Sequence, residues 1–487
     1  MSSKAPSART CSPVIESIVG IAAADFPDLL AQMPDQFSHL FASLASGATS
    51  EFGQNNARWS ILFGAARAEL RLDAQDVLHA TGLPQSLTAE SHFLSAFAKA
   101  VAAFARPPAG FATELPFVGG WSFYLSYELA GQIEPSLDLP RFAPADRVGF
   151  PVAVAQYHAS ALIYDHLHHK TWLVHDGQSA DAAESLRACL RAFTLAPQAD
   201  AALDIHALQA DDPARYRSGV QQVLAFLRAG DVFQANLSRA WRFSATQTDA
   251  GLRIFRRLER HNPAPFAAWY RLPEGEIISS SPERLVDHRG GQVSTRPIAG
   301  TRRRDDDSVR DAALMAELRA HPKERAEHVM LIDLERNDLG RVCQPGSVCV
   351  DELMVLESFA HVHHLVSNVC GQLRPDQSVF DLLAATFPGG TITGCPKVRC
   401  MEILAELEQT GRGPYTGSVG YLSLDGRMDS NILIRTVFLA KDGLGEFRTG
   451  AGIVADSAPE RECTETEEKA RGLLMALTGA HNADQMP

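Results

Sequence analysis

Near the C-terminus, "GAGIVADSAPERECTETEEKARGLLMAL" places Glu462, Glu465 and Lys469 at i, i+3 and i+7. In a helix these positions share an arc of roughly 60°. Leu473 and Leu477 continue near that side, so the acidic face is expected to point at least partly inward. Two carboxylates held together away from water need a cation, and a hard divalent ion is the usual partner. The alternative is a solvated helix face. A second acidic pair stands in "HPKERAEHVMLIDLERNDLG", where Pro322 suits a first helical turn and Glu324, Glu327, Leu331 and Leu334 follow on one stripe. One carboxylate from each helix would make a Mg²⁺ site completed by water and substrate oxygens. A surface pair of Lys323 with Glu327 is the competing reading.

Other residues could bind or transfer protons. Arg435 in "NILIRTVF" is a charge inside an apolar strand pattern. A buried Arg is costly unless paired, so it is expected to face an anion, and with Lys469 it could clamp a dicarboxylate. In "ISSSPERL", Glu283 follows Pro282 at a strand start, where burial would raise its pKa and suit it to be a general acid. The loop "FPGGTITGCPKVR" sets Thr391 and Thr393 beside Gly390 and Gly394, with Pro396 placed to begin a helix. The free N–H groups of such a start suit a carboxylate, although a plain helix cap looks the same. A Walker pattern is absent, which weakens any case for nucleotide. In "HVHHLVSN", alternation puts His361 and His363 on one face and His364 on the other, so three-His zinc geometry is not available.

The elements that must position these groups belong to a chain with ample core. It has 487 residues, 45% hydrophobic and 21% charged, with a net charge of -13. That balance argues against a nucleic-acid partner, because phosphate neutralisation needs a basic face. Eight cysteines without Cys-x-x-Cys spacing read as thiols in a reducing compartment. No apolar run approaches the ~20 residues of a membrane span, and a cytoplasmic location is expected.

Residues 1–204 mix Ala-rich helical stretches such as "SHFLSAFAKAVAAFA" with strand-like runs "VAVAQYHASALIYDH" and "KTWLVHDG". The passage "TLAPQADAALDIHALQADDPARY" marks a soft boundary near residue 205. Beyond it, "PARYRSGVQQVLAFLRAG" has helical spacing with Gly230 as its stop. Four strands follow, then a long helical passage from about 309 to 338, a helix "KVRCMEILAELE", and a hairpin turning at Asp425-Gly426. Strands, then helices, then strands fit an α+β fold.

Together these motifs resemble the chorismate-utilising family that includes anthranilate synthase component I, aminodeoxychorismate synthase component I, and isochorismate and salicylate synthases. The resemblance is specific over 205–480, carried by "FQANLSR", "SPERL", "RPIAGTRRR", "KERAEHVMLIDLERNDLG", "HHLVSN", "FPGGTITGCPKVR", "GPYTGSVGY", "MDSNILIRT" and "GAGIVADSAPERECTETEEK". Over 1–204 it rests chiefly on "LPFVGGWSFYLSYELAGQIEP". It implies large antiparallel β-sheets packed together with helices outside. It also implies Mg²⁺ held by Glu327 and Glu465, with Glu324 and Glu462 nearby, gripping the ring carboxylate of chorismate. Arg435, Tyr415, Lys469 and backbone around Gly450 and Gly452 would hold carboxylates. Thr391 and His364 would border the ring, with Gly300, Thr301 and Thr393 in the same pocket, and Glu283 would protonate the departing 4-hydroxyl.

Two positions choose the nucleophile. Family members that add water carry a Lys base where this chain has Gln234, so ammonia is favoured. One type of aminodeoxychorismate synthase carries a nucleophilic lysine where this chain has Ala299, as anthranilate synthases do. "FPGGTITG" nevertheless resembles the aminodeoxychorismate enzymes more, and no clear Leu-Leu-Glu-Ser element of a tryptophan feedback site is present. The expectation is aminodeoxychorismate synthase component I, a transferase of p-aminobenzoate and folate biosynthesis, with anthranilate synthase component I as the alternative. A non-catalytic acidic metal-binding scaffold is the alternative of another class. Lacking a Gly-x-Cys-x-Gly nucleophile loop, the chain would take ammonia from a separate glutamine amidotransferase subunit.

Overall fold

Alternating strands such as Phe266–Leu272 and Gly275–Ser281 pair in register across a short turn, Trp269 opposite Ile278 and Leu272 opposite Gly275. The computed structural model describes residues 10–479 apart from 45–56, 105, 109, 144–148, 195–202, 306 and 360–361. His361 and much of the passage between the two sequence regions therefore lie outside the described residues, as does the side chain of Lys323.

Among the described residues the strands make two large antiparallel sheets, of twelve and eleven strands. The first runs from Val14–Ile18 at one edge through Phe37–Ala42, Phe266–Leu272, Gly275–Ser281, Thr436–Ala440 and Leu444–Ile453 to Gln234–Ser244 and His206–Ala210. The second runs from Ile298–Arg303 through Val362–Gln372, Arg284–Arg289, Met428–Asn431 and Ser418–Ser423 to Gly120–Leu125, Ala153–His158 and Ala66–Leu72. Strands from before and after residue 205 share both sheets.

Tyr124, Val154 and Val419 of the second sheet pack with Ala268, Tyr270, Ile277 and Phe438 of the first, so the sheets meet face to face. Helices cover the outer faces: Phe26–Gln32, Ala250–His261 and Pro459–Thr478 on the first, and Phe93–Ala102, Val379–Thr386 and Pro322–Gly340 on the second. This is the expected α+β arrangement. Gly230 ends the helix Pro213–Ala229 at φ 82, and Gly426 turns the hairpin at φ 87, both conformations that favour glycine.

Two local expectations need correction. The passage 309–338 is two helices, Ser308–Ala320 and Pro322–Gly340. The ring of Pro322 excludes the helical conformation from His321, which is extended at ψ 113 and accepts the Glu324 N–H with its own ring. Arg435 is not inside a strand. It lies in the break between Met428–Asn431 and Thr436–Ala440 at φ 51. The apolar run reads as one strand, but the chain leaves one sheet there and enters the other.

Such crossings organise the molecule. The chain passes between the sheets at Ala65, at Ala159, at Pro282-Glu283 and at Ile432–Arg435. The last two lie side by side: Ile432 N–H donates to the Glu283 carbonyl at 3.0 Å, and Ser280 N–H to the Arg435 carbonyl at 3.1 Å.

Candidate active site

Glu283 sits at this double crossing because Pro282 ends one strand and Arg284 begins the next in the other sheet. Its side chain is 5% exposed, and Oε1 has no hydrogen-bond partner. Burial pushes the carboxyl up to about 7, against the opposing pull of the Thr391 hydroxyl, the Ile298 N–H, Lys469 and Arg435. A carboxyl that keeps its proton near neutrality can donate it. Arg435 is half-buried and donates to Asn262 Oδ1 at 3.4 Å. Burial lowers its pKa and the charge of Glu283 opposes that shift, which sets the two groups in one electrostatic environment.

Two further orphaned polar atoms belong to a neighbouring strand: Gln234 Oε1 and Asn236 Oδ1. Gln234 and Asn236 are two apart on one strand and so share a face. That strand pairs with Leu444–Ile453, Asn236 opposite Gly452 and Ser238 opposite Gly450. A Cβ on Gly450 would lie 2.5 Å from Asn236 Oδ1 and 2.8 Å from the Tyr415 hydroxyl, and one on Gly452 would collide with Gln234 Nε2. Glycine at both positions lets these polar groups close on the backbone. Lys469 donates to the Gly450 carbonyl at 2.9 Å and pairs with Glu465 at 2.9 Å. Buried polar groups are nearly always paired inside the protein, so a set of orphans drawn from more than one element marks a place where a polar ligand is received.

The loop expected to present Thr391 and Thr393 is a short turn, Gly390–Ile392, anchored where Gly394 and Cys395 pair with Ala235 and Gln234. The Thr391 hydroxyl interacts with the Glu283 carboxyl and draws its pKa down, whereas the Thr393 hydroxyl donates to the Gly389 carbonyl at 2.9 Å. Thr393 thus holds the loop's shape. Ala299 is buried on the strand Ile298–Arg303, opposite Leu365. Gly300, at φ 69, leaves room for Leu318 and Glu324: a Cβ there would lie 2.8 Å from Leu318 Cδ1 and 2.9 Å from Glu324 Oε2. Thr301 Oγ1 is 2.9 Å from His364 Nδ1. Burial, with Arg435 and His363 adding to it, pushes His364 down to about 3, so its ring is neutral at pH 7. His363 points the other way, to Ser358 and Asp311, as strand alternation requires.

Of the acidic residues, Glu462 is buried, Glu324 and Glu327 are half-buried, and Glu465 is 38% exposed beside Lys469 at 43%. Glu324 also pairs with Arg302 at 3.3 Å. Leu331, Leu334, Leu473 and Leu477 are buried, so both acidic stripes face inward at their leucine ends. Among the described residues no three His, Cys, Asp or Glu gather as a metal cage. Such donors fit a hard cation held by one or two carboxylates and completed by other oxygens, the habit of Mg²⁺. They do not fit zinc.

Three residues escaped the sequence reading. Asn236 was in reach, since it lies two positions from Gln234 within "FQANLSR". Glu335 is buried, and burial, with the charges of Asp338 and Glu283 adding to it, pushes its carboxyl up to about 8. Its place one stripe around the helix from Glu327 is visible only once the helix is docked. Arg412 is wholly enclosed and donates to Glu408, to the Ile392 carbonyl at 3.1 Å and to the Asn236 carbonyl at 2.7 Å. It ties the Thr391 loop to the Gln234 strand.

Comparison with known proteins agrees with this geometry. The model of the chorismate binding enzyme family matches residues 52–475. The chain belongs to that family. It is 44% identical over 374 residues to an anthranilate synthase component I-like protein of Synechocystis sp., covering 75% of this chain and 74% of that protein. It is 43% identical over 364 residues to aminodeoxychorismate synthase component 1 of Klebsiella aerogenes, covering 74% of this chain and 78% of the relative. Among solved structures, anthranilate synthase component I from Streptococcus pneumoniae TIGR4 superposes with a TM-score of 0.74 at 33% identity, covering 85% of this chain and 92% of that one. The chain is therefore a chorismate-utilising enzyme with an anthranilate synthase component I-like fold. Among the described residues no helix is long and apolar enough to cross a membrane.

Proposed function

We propose that this enzyme is aminodeoxychorismate synthase component I, exchanging the 4-hydroxyl of chorismate for an amine with ammonia from a glutamine amidotransferase subunit. The observation that carries the reading is Glu283, a buried carboxyl held near pH 7 beside Arg435 and Lys469 with neutral Gln234 close by. Arg435, Lys469 and Tyr415 hold the carboxylates of the substrate. Glu283 gives its proton to the leaving hydroxyl. One C–O bond breaks, one C–N bond forms as ammonia attacks, water departs, and the surplus proton of the new ring ammonium returns to Glu283. Gln234 has no basic lone pair with which to activate water, so it does not compete.

Glu327 and Glu465 would hold Mg²⁺, with Glu324 and Glu462 as further candidate donors. When bound, the ion supplies positive charge to a substrate carboxylate and so stabilises charge developing on the ring. The relatives from Klebsiella aerogenes and Streptococcus pneumoniae are each named as the first component of a synthase, which supports a second, amidotransferase component as partner.

A second reading, anthranilate synthase component I, is favoured by Ala299, which places a methyl group where a lysine nucleophile would be required for the covalent route. Product chromatography separates the two. Purified protein is given chorismate, Mg²⁺ and ammonium, with and without a pyruvate-releasing aminodeoxychorismate lyase. p-Aminobenzoate appearing only with the lyase is the expected result. Fluorescent anthranilate formed without it overturns the first reading in favour of the second.

A further inference from the structure

Cys349 and Cys370 stand directly opposite each other on the antiparallel strands Cys349–Ser358 and Val362–Gln372, with their Sγ atoms 3.2 Å apart. Cys349 is exposed and Cys370 buried. Cross-strand neighbours on one face have the Cβ separation that a disulfide needs, so small side-chain rotations alone would bring these sulfurs to bonding distance. A third thiol is near but differently placed. A Cβ on Gly371 would lie 2.7 Å from Cys343 Sγ, and because successive residues of a strand face opposite ways, Cys343 and Cys370 are on opposite sides of it.

The strand Cys349–Ser358 has reason to need a clasp. Among the described strands it pairs only with Val362–Gln372, and its register slips between Val350 and Glu352 and again between Glu352 and Val355. Its far end, Glu357, lies opposite His364. An edge strand with a broken ladder opens more readily than a central one.

We propose that Cys349 and Cys370 are a redox modification site, forming a reversible cross-strand disulfide when the protein meets a peroxide. The Cys349 thiolate attacks one peroxide oxygen, the O–O bond breaks, and the departing hydroxide takes a proton to become water. Cys370 then attacks the resulting sulfenic acid, loses its proton, and a second water leaves. Two thiols are oxidised by two electrons and one peroxide is reduced. A small-molecule dithiol reverses the bond by exchange. Burial, the contact with Cys349 and the charge of Asp351 push the Cys370 thiol up to about 12. Cys349, the exposed thiol, is the one a peroxide in solution reaches first.

The test uses the full chain treated with a modest excess of hydrogen peroxide, then denatured in an alkylating agent. The expected result is two fewer alkylated thiols and a linked peptide pair carrying Cys349 and Cys370, both reversed by dithiothreitol. Amide exchange across 349–358 should slow at least about tenfold on oxidation. Cys349→Ser, at an exposed position, should abolish the link with a near-normal melt, and Cys343→Ser should leave it intact. Sulfinic acid at Cys349 without the link, a dominant link through another cysteine, or an equal yield from urea-unfolded chain would each overturn the proposal.

Discussion

Among the described residues the chain steps directly from a strand of one sheet into the next strand in the other at two places in each half, and the two pairs of crossings are furnished differently. At Ala65 and Ala159 the buried histidines are satisfied within the protein. His158 donates from Nδ1 to the Gly64 carbonyl at 2.7 Å and accepts the Ser122 hydroxyl at Nε2 at 2.8 Å. His39 stacks on Tyr270 at 3.7 Å between ring centroids and hydrogen-bonds Gln156. At Glu283 and Arg435 the same change of sheet leaves Glu283 Oε1 without a partner, with Gln234 Oε1 and Asn236 Oδ1 in the same condition on a neighbouring strand. One region uses buried polarity to fix the fold, and the other keeps it available to a ligand. A buried polar group left unpaired costs stability, so its persistence points to use.

Changing Glu283 is the strongest way to break that contrast. Glu283→Gln should lower turnover of chorismate by about 10²–10⁴ while leaving the melt unchanged or higher. The wild-type carboxyl is raised from 4.5 to about 7, so the unfolded chain releases this proton first. Stability from this group is intact below about 4.5 and falls as pH rises towards 7, by roughly 3 kcal/mol in all. Urea titrations at pH 5 and pH 8 should show that loss in wild type and its absence in the variant. The rate should also decline above about pH 7 as the acid ionises.

Next in size is the charge at the edge of the site. Glu465→Gln and Glu327→Gln should each cost about 10²-fold in turnover and shift the magnesium dependence of the rate to higher concentration. Full activity at unchanged magnesium in either variant would favour a solvated acidic face. Arg435→Lys keeps the charge but loses the forked donor. Its KM for chorismate should rise roughly tenfold with a smaller change in kcat. An unchanged KM would remove Arg435 from the binding site.

The smallest catalytic effect should come from the other crossing. His158→Ala should cost about 1–3 kcal/mol of stability by leaving Ser122 and the Gly64 carbonyl unpaired, with kcat/KM within twofold of wild type. Burial pushes His158 down to about 4. The unfolded chain then takes up a proton first as pH falls, so this group's destabilisation grows from about pH 6.5 down to 4, and acid melts of the two proteins should converge across that window. Loss of turnover comparable to that of Glu283→Gln would erase the distinction between the two crossings.

The two acidic stripes, the capped helices, the Asp425-Gly426 hairpin and the choice of Glu283 as a buried acid were all legible in the sequence. Each depends on a period or a residue type that acts over a few positions. Pro322 marks a helix start, but the passage from 309 to 338 still reads as one helical run, whereas that proline sets His321 in an extended conformation and breaks it. Arg435 was misplaced for a similar reason, since a continuous apolar run does not reveal where a strand changes sheets.

The amino-acid order by itself determined the family and the α+β class and singled out the residues proposed to hold a cation, bind carboxylates and move a proton, because motif identity and local periodicity survive without knowledge of partners. Only the tertiary structure decided which of those polar atoms are left unpaired. It set Glu283 beside Thr391, 108 positions away by their numbers, and brought Asn236, Arg412 and Cys370 into their roles. Burial, and with it pKa and hydrogen-bond satisfaction, is a property of contacts between distant segments, and those exist only once both sheets have closed on each other.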